Sequence, residues 1–521
     1  MRYRPILHVT GLMTLGLGAM MLPCVIADVM AMNEVSSTLS AASASAEETG
    51  RTINQILAES GNHSPWLFFD ANDFGWKVFL LLSIFFMTVG GALSVGSRLD
   101  DDGVRTQEAF LLTVISWLVI VFIGAAPFFL GFGFNFTDSV FESMSGLTTT
   151  GATIMEGIET FPPSLILWRA IIQWIGGVGI IVTAIAILPS LKVGGMQLFH
   201  MESSDNQDKM LPHIGEIAMK TALVYLGLTF LCASLYRVTS MNEFESITMA
   251  MTTIATGGFA DTDASFNPYV EGGADIVAII FMSLGSMPFG LMVLAIHGDW
   301  KSFMRDPQPI VWIGFAVILT GAMTLYVITR DHIDIGPEGP VRMAMFNVVS
   351  VLSGTGYGTE DFSLWGPFAS SLFVVAMFFG GCAGSASCGL KTFRVHIAFL
   401  SIFAYAKTMI RPHQISPVRY AGRPVRPETM QSIMLFMFLY LVTFAVQCSI
   451  LALTGLEPTT AISAAAATLN NVGPGLGEVG PAGNFAHLTI VGKWTCTIAM
   501  LLGRLELIAV FVILTPSFWR N

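Results

Sequence analysis

The chain has 521 residues, 53% hydrophobic and 12% charged, with a formal net charge of −11. Soluble domains carry about 25% charged residues, so an ordinary water-soluble globule is excluded, and the acidic balance argues against a nucleic-acid partner. The 6 cysteines fall at irregular spacing and the 9 histidines form no HExxH pattern, so nothing points to a disulfide framework or a zinc site.

Apolar runs of about 20 residues, each long enough to cross a bilayer, recur along nearly the whole length. The runs lack strand alternation, and lipid cannot satisfy free backbone groups, so the spanning elements are helices. The sequence predicts an all-α polytopic membrane protein. Its first run, residues 6–32, follows Arg2 and Arg4 and reads as a retained helix, with a signal peptide as the competing reading. The Ser/Ala-rich stretch SSTLSAASASAEETG (36–50) is expected to be a flexible polar loop. A second run, Trp76 to about Gly96, completes an N-terminal helical pair within residues 1–106.

Four similar blocks follow, each an apolar run, a short amphipathic segment ending in a polar glycine turn, and another apolar run. They span about 107–191 (LTTTGAT), 215–299 (TIATGGFADTD), 308–400 (LSGTGYGTEDF) and 430–517 (LNNVGPGLGE). The matching glycines, Gly151, Gly258, Gly356 and Gly473, are 107, 98 and 117 residues apart, which indicates internal repetition. The connectors between blocks carry Arg98 and Arg105, Lys192 and Lys209, Lys301 and Arg305, then Lys407, Arg411, Arg419, Arg423 and Arg426. Positive loops face the cytoplasm, so the glycine turns face outward. Acidic residues surround them: Glu156, Glu159, Asp261, Asp263, Glu360, Asp361 and Glu478. An acidic mouth concentrates cations.

The segment inside each block is too short to cross, so it is read as a re-entrant hairpin. Bare backbone at membrane depth is tolerated only inside protein or along a wet cavity. Four such hairpins around one axis would bring carbonyl oxygens together where they can replace the hydration shell of a monovalent cation. The short helices would aim their negative C-terminal ends at the same place.

These turns, together with GRLELIAVFVILTPSFWR at 503–520, resemble the TrkH branch of the Trk/Ktr/HKT cation transporters from about residue 76 onward. The resemblance implies four pseudo-repeats of helix, re-entrant pore loop and helix around a central pore, plus the N-terminal pair of helices. It implies a filter built from Thr148, Thr149, Thr150 and Gly151; Ala255, Thr256, Gly257 and Gly258; Ser353, Gly354, Thr355 and Gly356; and Asn470, Asn471, Val472 and Gly473. The expected K⁺ ligands are the carbonyls of Thr149, Thr150, Ala255, Thr256, Gly354, Thr355, Asn471 and Val472. Gly151 stands where serine accompanies sodium preference in plant relatives, which favours potassium. Gly354, Gly356 and Gly358 leave the register of the third loop open by two residues.

Two further features read as gates. In FFGGCAGSASCGLKTFR (378–394), each glycine weakens a continuous helix by about 1 kcal/mol relative to alanine. The resemblance implies an intramembrane loop beneath the filter, with Gly380, Gly381, Gly384, Ser385, Ser387, Gly389 and Lys391 as gating residues. A small-residue packing interface is the competing reading. The stretch nearly spells a phosphate-binding loop, but Leu390 separates Gly389 from Lys391 and no strand precedes it. Arg504 lies in an apolar run from about 486 to 515 with Glu506 as its nearest charged company. A charge at mid-membrane costs roughly 2.5–3.5 kcal/mol, so it must face a partner or water. The resemblance places such an arginine at the pore below the filter; a buried ion pair is the alternative.

Together these features predict potassium uptake across the cytoplasmic (inner) membrane, channel-like and driven by the membrane potential, with K⁺ as cargo and no organic cofactor. No nucleophile or metal cluster points to an enzyme. The resemblance also implies a homodimer and a cytoplasmic nucleotide-binding, TrkA-like regulatory subunit, which must be a separate protein. A sodium-selective channel and a K⁺/Na⁺ or K⁺/H⁺ symporter of the same fold stay open. A rocking transporter for an organic solute is disfavoured because the sequence shows a single unpaired break inside a span.

Overall fold

The computed structural model describes residues 3–49, 75–97, 106–186, 214–331, 333–336, 338–411 and 417–520. Arg98, Arg105, Lys192 and Lys209, four of the charges that set the expected orientation, lie outside them. Among the described residues, eight helices are long and apolar enough to cross a membrane, or nine if one bent pair counts as a span.

Four times the chain builds a long outer helix, a short pore helix, an irregular stretch and an inner helix. The outer helices are Thr106–Gly131, Ile214–Val238, Pro307–Ile328 and Pro427–Leu453. The pore helices are Phe136–Leu147, Glu243–Ile254, Pro340–Ser353 and Pro458–Leu469. At 12 to 14 residues and 1.5 Å per residue, they span roughly 20 Å, short of a bilayer core of about 30 Å. Local chemistry starts them: Asn135 accepts from the Asp138 amide, Asn242 and Glu245 form a capping box, and Pro340 and Pro458 open the other two. All four are largely buried by the surrounding helices.

Inner helices depart from the expectation of continuous spans. Pro163–Ala186 is unbroken, but repeat 2 has Ala274–Gly285 and Phe289–Ile296, bent by 99° across a break ending in Pro288. In repeat 3, Pro367–Phe378 and Thr392–Ile410 flank the loop expected at 378–394. Repeat 4 stops at Arg504 and resumes at Ile508–Leu514, with Glu506 and Leu507 at positive φ. The single unpaired break is therefore corrected to a break in three of the four inner helices. Backbone pairing with the repeat 3 loop accounts for the break in repeat 2, and the side-chain contacts of Arg504 and Glu506 for that in repeat 4.

At the N-terminal end, Arg4–Met20 is followed directly by Leu22–Thr49. The expected polar loop at 36–50 is instead helical through Thr49, because alanine is the best helix former and the first glycine after Leu22 comes only at Gly50. Asp28 accepts the Ser164 amide at 2.9 Å, capping an otherwise orphaned donor of the Pro163–Ala186 helix and fastening the N-terminal pair to repeat 1.

Two large apolar cores flank the axis. One is built mainly by repeats 2 and 3 around Phe266, Phe346 and Tyr357, the other by repeats 1 and 4 with the Trp76–Gly96 helix around Phe79, Phe141 and Trp168. The four glycine turns lie between these cores.

Candidate functional site: a four-loop ring and the loop beneath it

Each pore helix ends the same way. The amides of Thr149, Thr256, Gly354 and Asn471 donate three residues back, to Gly146, Thr253, Val351 and Thr468. The amides of Thr150, Gly257, Thr355 and Val472 donate five residues back, to Ser145, Thr252, Ser350 and Ala467. This is a Schellman cap, whose turning residue needs a left-handed conformation. Gly354 supplies it with glycine; Thr149, Thr256 and Asn471 hold it at φ of 52, 51 and 53°. Left-handed β-branched residues are genuine outliers, so packing and hydrogen bonds must hold these turns.

Two residues further on, Gly151, Gly258, Gly356 and Gly473 are again at positive φ. A Cβ on Gly151 would lie 2.3 Å from the Gly257 carbonyl oxygen, one on Gly258 1.8 Å from that of Thr355, one on Gly356 2.0 Å from that of Val472, and one on Gly473 2.7 Å from that of Thr150. The contacts run from repeat 1 to 2, 3, 4 and back to 1. Four carbonyls from the residues before the glycines thus close a ring, with no room for a side chain between neighbouring loops.

The ring fixes two registers. In the third loop Gly356 belongs to it, while Gly354 serves the helix cap. In the second loop Thr256 and Gly257 correspond to Thr149 and Thr150, so the expected pair Ala255 and Thr256 moves by one residue. Ala255 matches Thr148, an alignment that the consecutive glycines Gly257 and Gly258 obscure in the sequence.

Hydroxyls and amides support the ring. Thr148 and Thr150 hydroxyls lie 2.7 Å apart, as do those of Ser353 and Thr355. Asn470 accepts from the Tyr440 hydroxyl. Behind the first loop is a network that the sequence reading missed. Arg169 Nε donates to Glu142 at 3.0 Å, and Arg169 Nη1 donates to the Ala260 carbonyl at 3.0 Å. Glu142 also accepts from the Thr153 hydroxyl and the Ile154 amide. A pore helix, the loop that follows its glycine, its inner helix and the next repeat are thereby joined around one buried ion pair.

Above the ring is a vestibule lined by Gly151, Gly258, Gly356, Gly473 and the loops that follow them. Carboxylates around it are structural: Asp263, in its lining, accepts the Gly157 and Ile158 amides, and Asp361, outside the lining, accepts that of Ser363. Half-buried Asp261 accepts the Thr248 hydroxyl, and burial pushes its pKa up to about 7.

Below the ring lies the loop of repeat 3, closed at its neck where Gly380 N donates to Leu390 O and Thr392 N donates to Gly381 O. Its backbone pairs with the broken helix of repeat 2: Cys382 N donates to Ser286 O, Ala386 N to Gly285 O, and Phe289 N to Gly384 O. The 99° break thus frees the backbone groups that seat the loop. Within it, Ser385 donates to Cys382 O, the Ser387 hydroxyl accepts the Gly381 amide, and buried Lys391 donates to Ser387 O. Gly389 packs against Gly380, with Asn470 Oδ1 3.6 Å from where its Cβ would lie. Cys388 reaches the underside of the first ring loop, its thiol 3.8 Å from the Thr148 carbonyl oxygen and 3.7 Å from the Thr149 hydroxyl.

Arg504 joins this loop to repeat 1. Its guanidinium donates to Ala386 O at 3.2 Å, to Cys388 Sγ, and to Gly176 O at 2.7 Å. Glu506 pairs instead with Arg394. Arg504 is therefore held by backbone carbonyls and a thiol, against the alternative of a buried ion pair.

The sequence matches the profile of the family described as TrkH, "Cation transport protein", over residues 76–520. The chain belongs to the TrkH family. Among its relatives, the Trk system potassium uptake protein TrkI of Halomonas elongata is 42% identical over 80% of this chain and 85% of its own. The Trk system potassium uptake protein TrkH of Escherichia coli K12 is 35% identical over 84% of this chain and 90% of its own. The crystal structure of the potassium transporter TrkH from Vibrio parahaemolyticus superposes with a TM-score of 0.83 at 29% identity, covering 100% of both chains. This TrkH-family protein is an all-α, multi-pass protein of the cell membrane, and its family is one of transporters rather than enzymes.

Proposed function

We propose that this chain takes up potassium through the four-carbonyl ring, by channel-like conduction driven by the membrane potential. The observation that carries the reading is the closed ring itself: four glycines at positive φ, each pressed against the carbonyl before the next repeat's glycine. Such carbonyls can replace the hydration shell of a dehydrated monovalent cation. The corrected ligand set is Thr149, Thr150, Thr256, Gly257, Gly354, Thr355, Asn471 and Val472, with each repeat, in the boundaries predicted from sequence, contributing one loop. An inside-negative potential supplies about 2.3 kcal/mol per charge per 100 mV.

The loop beneath the filter and Arg504 act as the gate, because they place a fixed positive charge and a packed backbone directly below the ring. Homologues bearing the name "Trk system" support a multi-component assembly, and we assign this chain to a homodimer that works with a cytoplasmic nucleotide-binding subunit. The helix breaks do not favour a rocking transporter, since those of repeats 2 and 4 adjoin contacts with the intramembrane loop.

The test is Rb⁺ uptake into proteoliposomes with K⁺ or Na⁺ as competitor, for wild type and Gly151→Ser. Strong competition by K⁺, weak competition by Na⁺ and a narrower gap in the serine variant are expected. Equal competition in wild type overturns potassium preference; an inert serine overturns the ring as the filter.

A further inference from the structure

Repeat 2 departs from the others at the residue before its filter glycine. Repeats 1, 3 and 4 place Thr150, Thr355 and Val472 there, whereas repeat 2 has Gly257. Conformation does not demand glycine, since Gly257 is not at positive φ. Space does: a Cβ on Gly257 would lie 2.5 Å from Cδ and Oε1 of Gln173.

Gln173 is fully buried on the inner helix of repeat 1. Its Nε2 donates to the Gly257 carbonyl at 2.7 Å, and its Oε1 accepts the Phe259 amide at 3.1 Å. One side-chain amide therefore bridges the two peptide groups that flank Gly258. The Gly257 carbonyl is a member of the ring, next to Gly151. Among the described residues, no side chain donates to the corresponding carbonyls of Thr150, Thr355 or Val472.

A carbonyl tethered from behind has less freedom to follow a cation. A smaller ion needs its oxygens drawn closer, so tethering one of the four weighs against the smaller ion more than the larger. The donor also competes for electron density on that oxygen, which lowers the field felt by an ion in the ring.

We propose that Gln173 is a specificity-determining positioning residue: its amide clamps the Gly257 carbonyl and so disfavours Na⁺ against K⁺. The glycine at 257 is the space its amide requires. The proposal rests on the reading of the ring as the filter.

The experiment is K⁺ and Na⁺ competition against Rb⁺ uptake in proteoliposomes of the full chain, for wild type, Gly151→Ser, Gln173→Leu, Gly257→Thr and the double variant Gln173→Ala/Gly257→Thr. Losing one hydrogen bond to a filter oxygen should lower the K⁺-over-Na⁺ ratio of Gln173→Leu about five- to tenfold. That ratio is independent of how much protein folds. Gly257→Thr alone should lose uptake through collision with Gln173. The double variant should regain uptake, because threonine fills the vacated space as in repeats 1 and 3, while keeping the lowered ratio. A wild-type ratio in Gln173→Leu and the double variant, with Gly151→Ser altered, overturns the clamp and leaves the filter standing. An unaltered ratio in all of them overturns the filter reading itself.

Discussion

The Asn471 side-chain amide donates to the Thr150 hydroxyl at 2.8 Å and to the Met500 carbonyl at 2.9 Å. It thus ties the last filter loop to the first and to its own inner helix, where the chain must close the ring across 321 residues. Asn471 is also the turning residue of its cap, at φ 53°, a conformation that asparagine tolerates better than β-branched or apolar residues. Asn471→Leu removes both hydrogen bonds and adds backbone strain. The expected cost is about 2–4 kcal/mol, read as a lowered unfolding temperature of the purified protein, with a reduced K⁺-over-Na⁺ ratio. Asn471→Gly keeps the turn and should recover stability more than selectivity.

Alanine at the four ring glycines should rank by the room each has. Its Cβ would meet a neighbouring carbonyl oxygen at 1.8 Å at Gly258, 2.0 Å at Gly356, 2.3 Å at Gly151 and 2.7 Å at Gly473. Contacts below about 3 Å cannot be accommodated without moving the backbone, and all four sites add the cost of positive φ. Rb⁺ uptake per molecule should fall in that order, with Gly473→Ala retaining the most.

Much of this arrangement was legible because it is repeated. A lone Thr-Gly turn says little, but four at similar intervals between apolar runs pointed to the pore helices and to Gly151, Gly258, Gly356 and Gly473. What stayed hidden depends on contacts across the repeats. Gln173 and Arg169 lie in an apolar run as isolated polar residues, and nothing local names Gly257 or Glu142 as partners. The break at Leu505 to Leu507 contains no glycine or proline to announce it; it follows from the seat that Arg504 takes beneath the filter and from the Arg394–Glu506 pair. The helix through residues 36–49 is not legible from composition, because its serines suggest a loop while its alanines carry the helix.

Arg504→Ala should raise uptake. The guanidinium holds Ala386, Cys388 and Gly176 together beneath the filter, and its charge opposes a cation leaving the ring. Truncation removes both the tie and the charge while leaving the filter loops untouched, so Rb⁺ flux should rise with an unchanged K⁺-over-Na⁺ ratio. Arg504→Lys keeps the charge but not the three-way fork, and its flux should fall between the two. Flux no higher than wild type in Arg504→Ala would remove the arginine from the gate.

Asp261 should make uptake pH-dependent. Its carboxyl faces Thr248, with Glu245 adding repulsion and Arg169 attraction, and burial, the largest cause, raises the pKa to about 7. Above pH 7 the loop after Gly258, whose Thr262 and Asp263 line the vestibule, therefore gains a negative charge, which concentrates K⁺; below it the charge is lost. The half-saturating K⁺ concentration should rise as pH falls from 8 to 6 in wild type and stay flat in Asp261→Asn. Stability runs the other way. Between about pH 4 and pH 7 the folded chain keeps a proton that an unfolded aspartate has released, so this group lowers stability as pH rises through that window. Asp261→Asn should thus unfold at a higher temperature than wild type at pH 8 and lose that advantage near pH 4. A pH-independent wild-type K⁺ dependence would show that the charge on Asp261 does not reach the ion path.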